Sequence, residues 1–92
     1  MRKFKDKRTE KLFAAEKVKG VPPDIMQRVH NKLRIVARIN DLADLQGFPG
    51  MRLESLKGDR KGQYSIRVND QWRICFTWSG REAFNIELVD YH

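Results

Sequence analysis

Three successive side chains close the sequence: Asp90, Tyr91 and His92, a carboxylate, a phenol and an imidazole. Together they can accept and donate protons near neutrality. Chain ends are usually frayed and chemically inert. This one follows a run in which Phe84, Ile86 and Leu88 alternate with Asn85 and Glu87. That period predicts a strand over 84–89, with the three apolar side chains on one face. Val89 interrupts the alternation, so the strand is expected to be covered on both faces near its end. The complement of the terminal set is cationic. Lys57, Arg60 and Lys61 lie in the stretch Leu56-Lys57-Gly58-Asp59-Arg60-Lys61-Gly62, with Arg67 and Arg73 on the strands that follow.

If the guest of such a cluster is RNA, cleavage without a metal has three requirements. A 2′-hydroxyl must lose its proton, charge on the non-bridging phosphate oxygens must be stabilised, and the departing 5′-oxygen must gain a proton. Preorganised Lys and Arg can meet the second requirement in a water-poor site. His or a carboxylate can move the protons, each transfer worth roughly 10²–10⁴-fold. The negative charges of Asp90 and of the terminal carboxylate favour imidazolium at His92, which suits a donor to the leaving group. Glu54 or Asp90 is then a candidate proton acceptor, as is Lys57 with a depressed pKa. Arg73 would hold the phosphate, Tyr91 would stack on a base or bond a phosphate oxygen, and Arg52, Arg60, Lys61 and Arg67 would contact RNA.

Each signal has a plainer reading. A terminal Asp-Tyr-His is more often a solvated tail, and Lys57 to Lys61 is by default a hydrophilic loop. Arg67 and Arg73 could be sheet-face residues with buried stems. Trp72 and Trp78 lie on the apolar stripe and are expected in the core. His30 has no second ligand type nearby, and Cys75 is expected to be packing. No phosphate-cradling glycine loop, metal-ligand pair or Ser-His-Asp set is visible, so no metal or cofactor is expected. The residues alone point to a basic domain with an anion site.

The elements that must position these groups divide into two halves. Lys3-Phe4-Lys5 suggests a short edge strand. Asp6 can cap a helix running to about Val18, with Leu12 and Phe13 buried and Lys19-Gly20 as its stop. After Val21-Pro22-Pro23, Asp24 can cap a second helix. Met26, Val29, Leu33 and Val36 form its stripe, widened by Ile25 and Ala37. Ile39, Leu42 and Leu45 suggest a further helical turn after a break near Asn40-Asp41. From Arg52 the period shortens to two. Leu53 and Leu56 flank a short strand, and Tyr64, Ile66 and Val68 face one side of the next. Asn69-Asp70-Gln71 is a turn, after which Trp72, Ile74, Phe76 and Trp78 oppose Arg73, Cys75 and Thr77. Ser79-Gly80-Arg81 turns into the last strand. The order predicts an α+β fold, helices on one face of a small, mainly antiparallel sheet. Pairing across Asp70 would make Arg67 and Arg73 neighbours, a repulsion more readily tolerated where an anion binds.

The totals agree with that picture. The 92 residues suit one domain, 1–92. With 19 Lys and Arg against 12 Asp and Glu, the formal charge of +7 favours a polyanionic partner. Apolar runs are too short to span a bilayer, and Met1-Arg2-Lys3 leads into charge rather than a signal sequence. A lone Cys75 excludes an internal disulfide and fits a reducing, cytoplasmic setting.

Taken together, Leu56-Lys57-Gly58-Asp59-Arg60, Gly62, Tyr64-Ser65-Ile66-Arg67-Val68, Trp72-Arg73-Ile74 and Val89-Asp90-Tyr91-His92 resemble the HigB-type (plasmid-maintenance killer) toxins of the RelE superfamily. The resemblance spans nearly the whole chain. It implies a compact microbial RNase fold and cleavage of mRNA in the ribosomal A site of bacteria. It also implies a cognate antitoxin, often a helix-turn-helix repressor through which the pair reaches operator DNA. Lys57, Arg73, Asp90, Tyr91 and His92 match residues the family uses at its cleavage site. Glu54 departs from relatives that carry histidine three residues before the lysine. It either takes over proton acceptance or pairs with Lys57 or Arg52 and slows the reaction. Two other readings stay open: a toxin of the same superfamily that inhibits gyrase by protein contact, and a basic RNA-binding module without catalysis.

Overall fold

The computed structural model describes residues 2–91, so expectations attached to His92 fall outside the described residues. The helical half comprises α1 (Lys7–Phe13), α2 (Pro23–Arg38) and a 3₁₀ turn (Leu42–Gly47). Then come β1 (Glu54–Ser55), a second 3₁₀ turn (Gly58–Arg60), β2 (Gln63–Arg67), β3 (Trp72–Ser79) and β4 (Glu82–Asp90). The strands pair antiparallel in the order β1-β2-β3-β4, giving the expected α+β fold.

Asp6 caps α1, its Oδ1 accepting from the Thr9 N–H at 2.8 Å. The helix stops at Phe13, well short of Val18. Ala15 turns to φ 63°, and the N–H groups of Ala15 and Glu16 bond back to the carbonyls of Leu12 and Lys11 at 3.1 and 2.9 Å. Those two bonds close a Schellman motif before Lys19-Gly20 is reached. In α2 the cap position is Pro22, which offers no side-chain bond. Asp24 lies inside the first turn, where its charge complements the helix dipole instead of capping. Ile25, Val29, Leu33 and Val36 are buried as the stripe requires, while Met26 is half-buried. Asp41 caps the 3₁₀ turn that carries Leu45 into the core.

The core lies between the helices and the inward sheet face. There Ile66, Ile74, Phe76, Ile86 and Leu88 meet Leu12, Val29, Leu33 and Val36. Trp72 is buried with them, and Trp78 packs against the edge. The Arg8 guanidinium lies 5.8 Å from the Trp72 ring centroid while donating to the Leu88 carbonyl at 2.7 Å. The Thr9 hydroxyl accepts from the Leu88 N–H at 3.1 Å. These contacts fasten α1 to β4.

Two features of β4 differ from expectation. Cys75 is in register with Glu87 but Thr77 with Phe84, so β4 holds one residue more than β3 in this interval. The extra residue sits at a β-bulge where Asn85 has φ 53°. The bulge shifts the alternation, and Phe84 leaves the face of Ile86 and Leu88 for the polar one, where the Lys3 ammonium lies 5.5 Å from its ring. Val89, in register with Arg73, keeps the polar-face phase and is half-buried, so covering on both faces is only partial. The expected strand over Lys3–Lys5 is a single parallel bridge, Phe4 to Ile86. It bonds the outer edge of β4 through Asn85 N–H to Arg2 O at 2.8 Å and Ile86 N–H to Lys3 O at 3.0 Å.

Candidate active site

Successive side chains of a strand alternate between faces, so registered pairs share one face. Glu54, Ser65, Cys75 and Glu87 are successive partners across the sheet and form one row of the outward face. Arg67, Arg73 and Val89 form the next. The expected neighbours Arg67 and Arg73 are direct partners across the β2–β3 turn.

Arg73 is the best-held cation of this face. Its Nε donates to Ser65 Oγ at 2.9 Å and its Nη2 to the Arg52 carbonyl at 3.0 Å. Nη2 is also 3.6 Å from Glu54 Oε1. The Arg73 side chain is 14% exposed, whereas that of Glu54 is 59% exposed. The buried Ser65 hydroxyl and the exposed Arg52 carbonyl thus hold the guanidinium, and a loose carboxylate sits beside it. The N–H groups of Nη1 have no protein partner among the described residues. A planar guanidinium held in this way, with donors left over, can receive an oxyanion. Arg52 contributes its carbonyl from a left-handed backbone of φ 45°, and its side chain is exposed.

Tyr91 lies across the same face. Its hydroxyl is 3.8 Å from Cys75 Sγ, and Cys75 is buried beneath it. Burial pushes the Tyr91 phenol up, the contact with Cys75 adds to the shift, and the charges of Arg60 and Arg73 oppose it. Burial likewise raises the Cys75 thiol. Both groups are therefore neutral near pH 7, and the phenol is a hydrogen-bond donor rather than a base. Gln71 anchors this end of β4: its carbonyl accepts from the Tyr91 N–H, and its Nε2 donates to both Asp90 carboxylate oxygens at 3.1 and 3.3 Å.

Other predicted residues are distributed unevenly. Arg60 reaches Glu87 at 3.2 Å and Gln63 at 3.2 Å, and Lys5 reaches Glu87 at 3.0 Å. Burial alone would lower the Arg60 pKa, but the bond and charge of Glu87 together with the fields of Cys75 and Tyr91 outweigh it and raise the value. Lys57 and Lys61 flank the second 3₁₀ turn, exposed. Arg67 pairs with Asp70. Glu54 pairs with Arg73 rather than with Lys57 or Arg52. The structure thus assembles Glu54, Arg73 and Tyr91 on one face, with Arg60 at its margin and Lys57 on an adjoining loop.

Ser65, Gln71, Cys75 and Glu87 were missed as members of this arrangement. The turn centred on Asp70 carried a usable signal, because counting outward from it pairs Ser65 with Cys75 and Arg67 with Arg73.

A family model for RelE-like HigB toxins of type II toxin–antitoxin systems matches residues 2–92. The chain belongs to this HigB-like toxin family. It is 32% identical over 92 residues to Endoribonuclease HigB of Proteus vulgaris, covering 100% of this chain and 99% of that protein. It is 38% identical over 86 residues to Toxin HigB-1 of Vibrio cholerae, covering 92% and 90%. Type II family membership implies a cognate antitoxin as partner. No helix among the described residues is long and apolar enough to cross a membrane.

Proposed function

We propose that this chain is the endoribonuclease toxin of a type II pair, with residues 1–92 as one catalytic domain. It cleaves mRNA in the ribosomal A site by metal-independent acid–base chemistry and so arrests translation in the bacterial cytoplasm. The observation that carries this reading is the Arg73 guanidinium, held by Ser65 and the Arg52 carbonyl, whose Nη1 donors have no protein partner among the described residues. The activity named for the Proteus relative supports the same chemistry.

In the proposed reaction a non-bridging phosphate oxygen binds Arg73 and displaces Glu54 from its loose ion pair. The released carboxylate takes the 2′-hydroxyl proton as that oxygen attacks phosphorus. The P–O5′ bond breaks, His92 protonates the departing 5′-oxygen, and a 2′,3′-cyclic phosphate remains. Tyr91 donates to a phosphate oxygen, Asp90 stabilises the imidazolium, and Lys57 adds positive charge from its loop. Arg52, Arg60, Lys61 and Arg67 engage the RNA around the scissile bond. The cognate antitoxin is a helix-turn-helix repressor, and operator DNA is reached through it alone.

The deciding experiment maps RNA 5′ ends after brief expression of the protein, its Arg73→Ala variant and its His92→Ala variant. New ends inside translated codons should appear with the parent and fall at least about 10²-fold with either variant. Unchanged cleavage in both would remove the assignment. Intact mRNA together with inhibited supercoiling would point to gyrase instead.

A further inference from the structure

We propose that a recess behind the edge strand β1 receives the base on the 5′ side of the scissile phosphate and makes cleavage depend on that base; the proposal rests on the ribonuclease reading. The recess has a volume of ≈ 340 Å³. It is lined by Leu42, Ala43 and Gln46 of the first 3₁₀ turn and by Leu53, Ser55 and Tyr64 at the edge of the sheet. Sites for small ligands occupy roughly 300–1,000 Å³, so a single base fits the space.

Strand alternation sets this recess back to back with the cleavage face. Glu54 and Ser65 are registered partners on the outward face, and Ser55 and Tyr64 are registered partners on the inward one. The groups around Arg73 are the Arg52 carbonyl, Glu54 and Ser65. Leu53, Ser55 and Tyr64 are their immediate neighbours in the chain, so a single thickness of backbone separates guanidinium from recess. β1 is two residues long and pairs only with β2, which leaves its other side as the open edge of the sheet. An RNA strand crossing so short an edge can rest a phosphate on one side and a base on the other. The 2′-hydroxyl that Glu54 deprotonates in the proposed reaction belongs to the nucleotide 5′ of the bond that breaks. That ribose lies at β1, and its base is the one within reach of the recess.

The lining suits a base. Leu42, Leu53 and Tyr64 offer a partly buried apolar surface, and Phe76 stacks on the Tyr64 ring with centroids 6.1 Å apart. Unpaired bases are recognised by stacking on aromatic side chains and by hydrogen bonds to their edges. The Gln46 amide and the Ser55 and Tyr64 hydroxyls supply donors and acceptors, and none of the three has a hydrogen-bond partner among the described residues. Among those residues no charged side chain lines the recess, which favours a neutral ring over a phosphate or a carboxylate.

The test measures single-turnover cleavage on ribosomes programmed with four mRNAs that differ only in the base 5′ of the cut. The parent should cleave its best and worst substrates at rates that differ about tenfold, the scale of one or two hydrogen bonds. Gln46→Ala with Ser55→Ala should compress that spread to about twofold, chiefly by slowing the best substrate. Ala43→Trp fills the recess from an exposed position and should slow cleavage after purines more than after pyrimidines. Asp44→Asn, exposed on the same 3₁₀ turn but outside the lining, should keep the parental spread.

A compressed spread in the double variant, or a purine-selective loss in Ala43→Trp, supports the proposal. Equal rates for all four bases in the parent, an unchanged spread in both variants, or slowing by one common factor whatever the base overturns it. A structural disturbance of β1 would give that common factor, so base dependence separates recognition from folding. Failure of the ribonuclease reading would show separately, as no cleavage of any of the four mRNAs by the parent, and the proposal would fall with it.

Discussion

Glu54 stands where the chemistry can turn either way. Its carboxylate neutralises part of the charge on Arg73 at rest, yet it is exposed enough to be displaced. As the proton acceptor, Glu54→Gln should lower single-turnover cleavage about 10²-fold with little change in melting temperature. Faster cleavage in that variant would identify Glu54 as a counter-ion only. Ser65→Ala removes the bond that aims Arg73 and should slow the same reaction about tenfold, an energy on the scale of one hydrogen bond. Arg73, Tyr91 and Glu54 were legible because their residue types announce chemistry. Ser65, Gln71 and Cys75 were not, because alternation assigns a face without naming the neighbour. Cys75 looked like packing and is buried, but on the polar side beneath Tyr91. The raised pKa values of Cys75 and Tyr91 stabilise the fold fully below their ordinary values of 9.0 and 10.0, and that contribution is lost as pH rises through the raised values. Lys32, lowered from 10.5, acts oppositely and adds stability as pH rises toward that value. Urea melts across pH 8–11 should therefore show a shallower alkaline decline in Cys75→Ala/Tyr91→Phe than in the parent.

Among the elements, α2 and the meander followed directly from the spacing of their apolar residues. The bulge in β4 did not, because one inserted residue reverses a period-two pattern without altering composition. Asn85 is the one signal available, since Asn tolerates the left-handed backbone that a bulge can require. Asn85→Val should destabilise the protein by roughly 1–2 kcal/mol and Asn85→Gly by little, as read from urea denaturation. The end of α1 was missed for a related reason. Ala15 occupies a position that usually takes glycine, so the stop signal was absent although the closing bonds form. Ala15→Gly should stabilise the protein by about 0.5–1 kcal/mol in the same measurement.

For the molecule as a whole, the formal charge of +7 gives RNA association a strong ionic component. Raising salt from about 50 to 200 mM should weaken binding of a 2′-O-methyl oligouridylate, which lacks the reactive hydroxyl, by at least roughly tenfold, measured by fluorescence anisotropy. The charge was legible from the sequence, but its arrangement was not. Folding distributes it between paired groups such as Arg60 with Glu87 and exposed lysines such as Lys57 and Lys61. The β2–β3 turn belongs to the paired part, through Arg67 and Asp70. Surface turns are where proteins usually absorb extra residues without harm. This one carries Gln71, which grips the end of β4 through backbone and side chain together. Even one residue spliced in beside Asp70 would unhook Asp90 and Tyr91, so a homologue with a longer loop there would need another way to fasten its final strand.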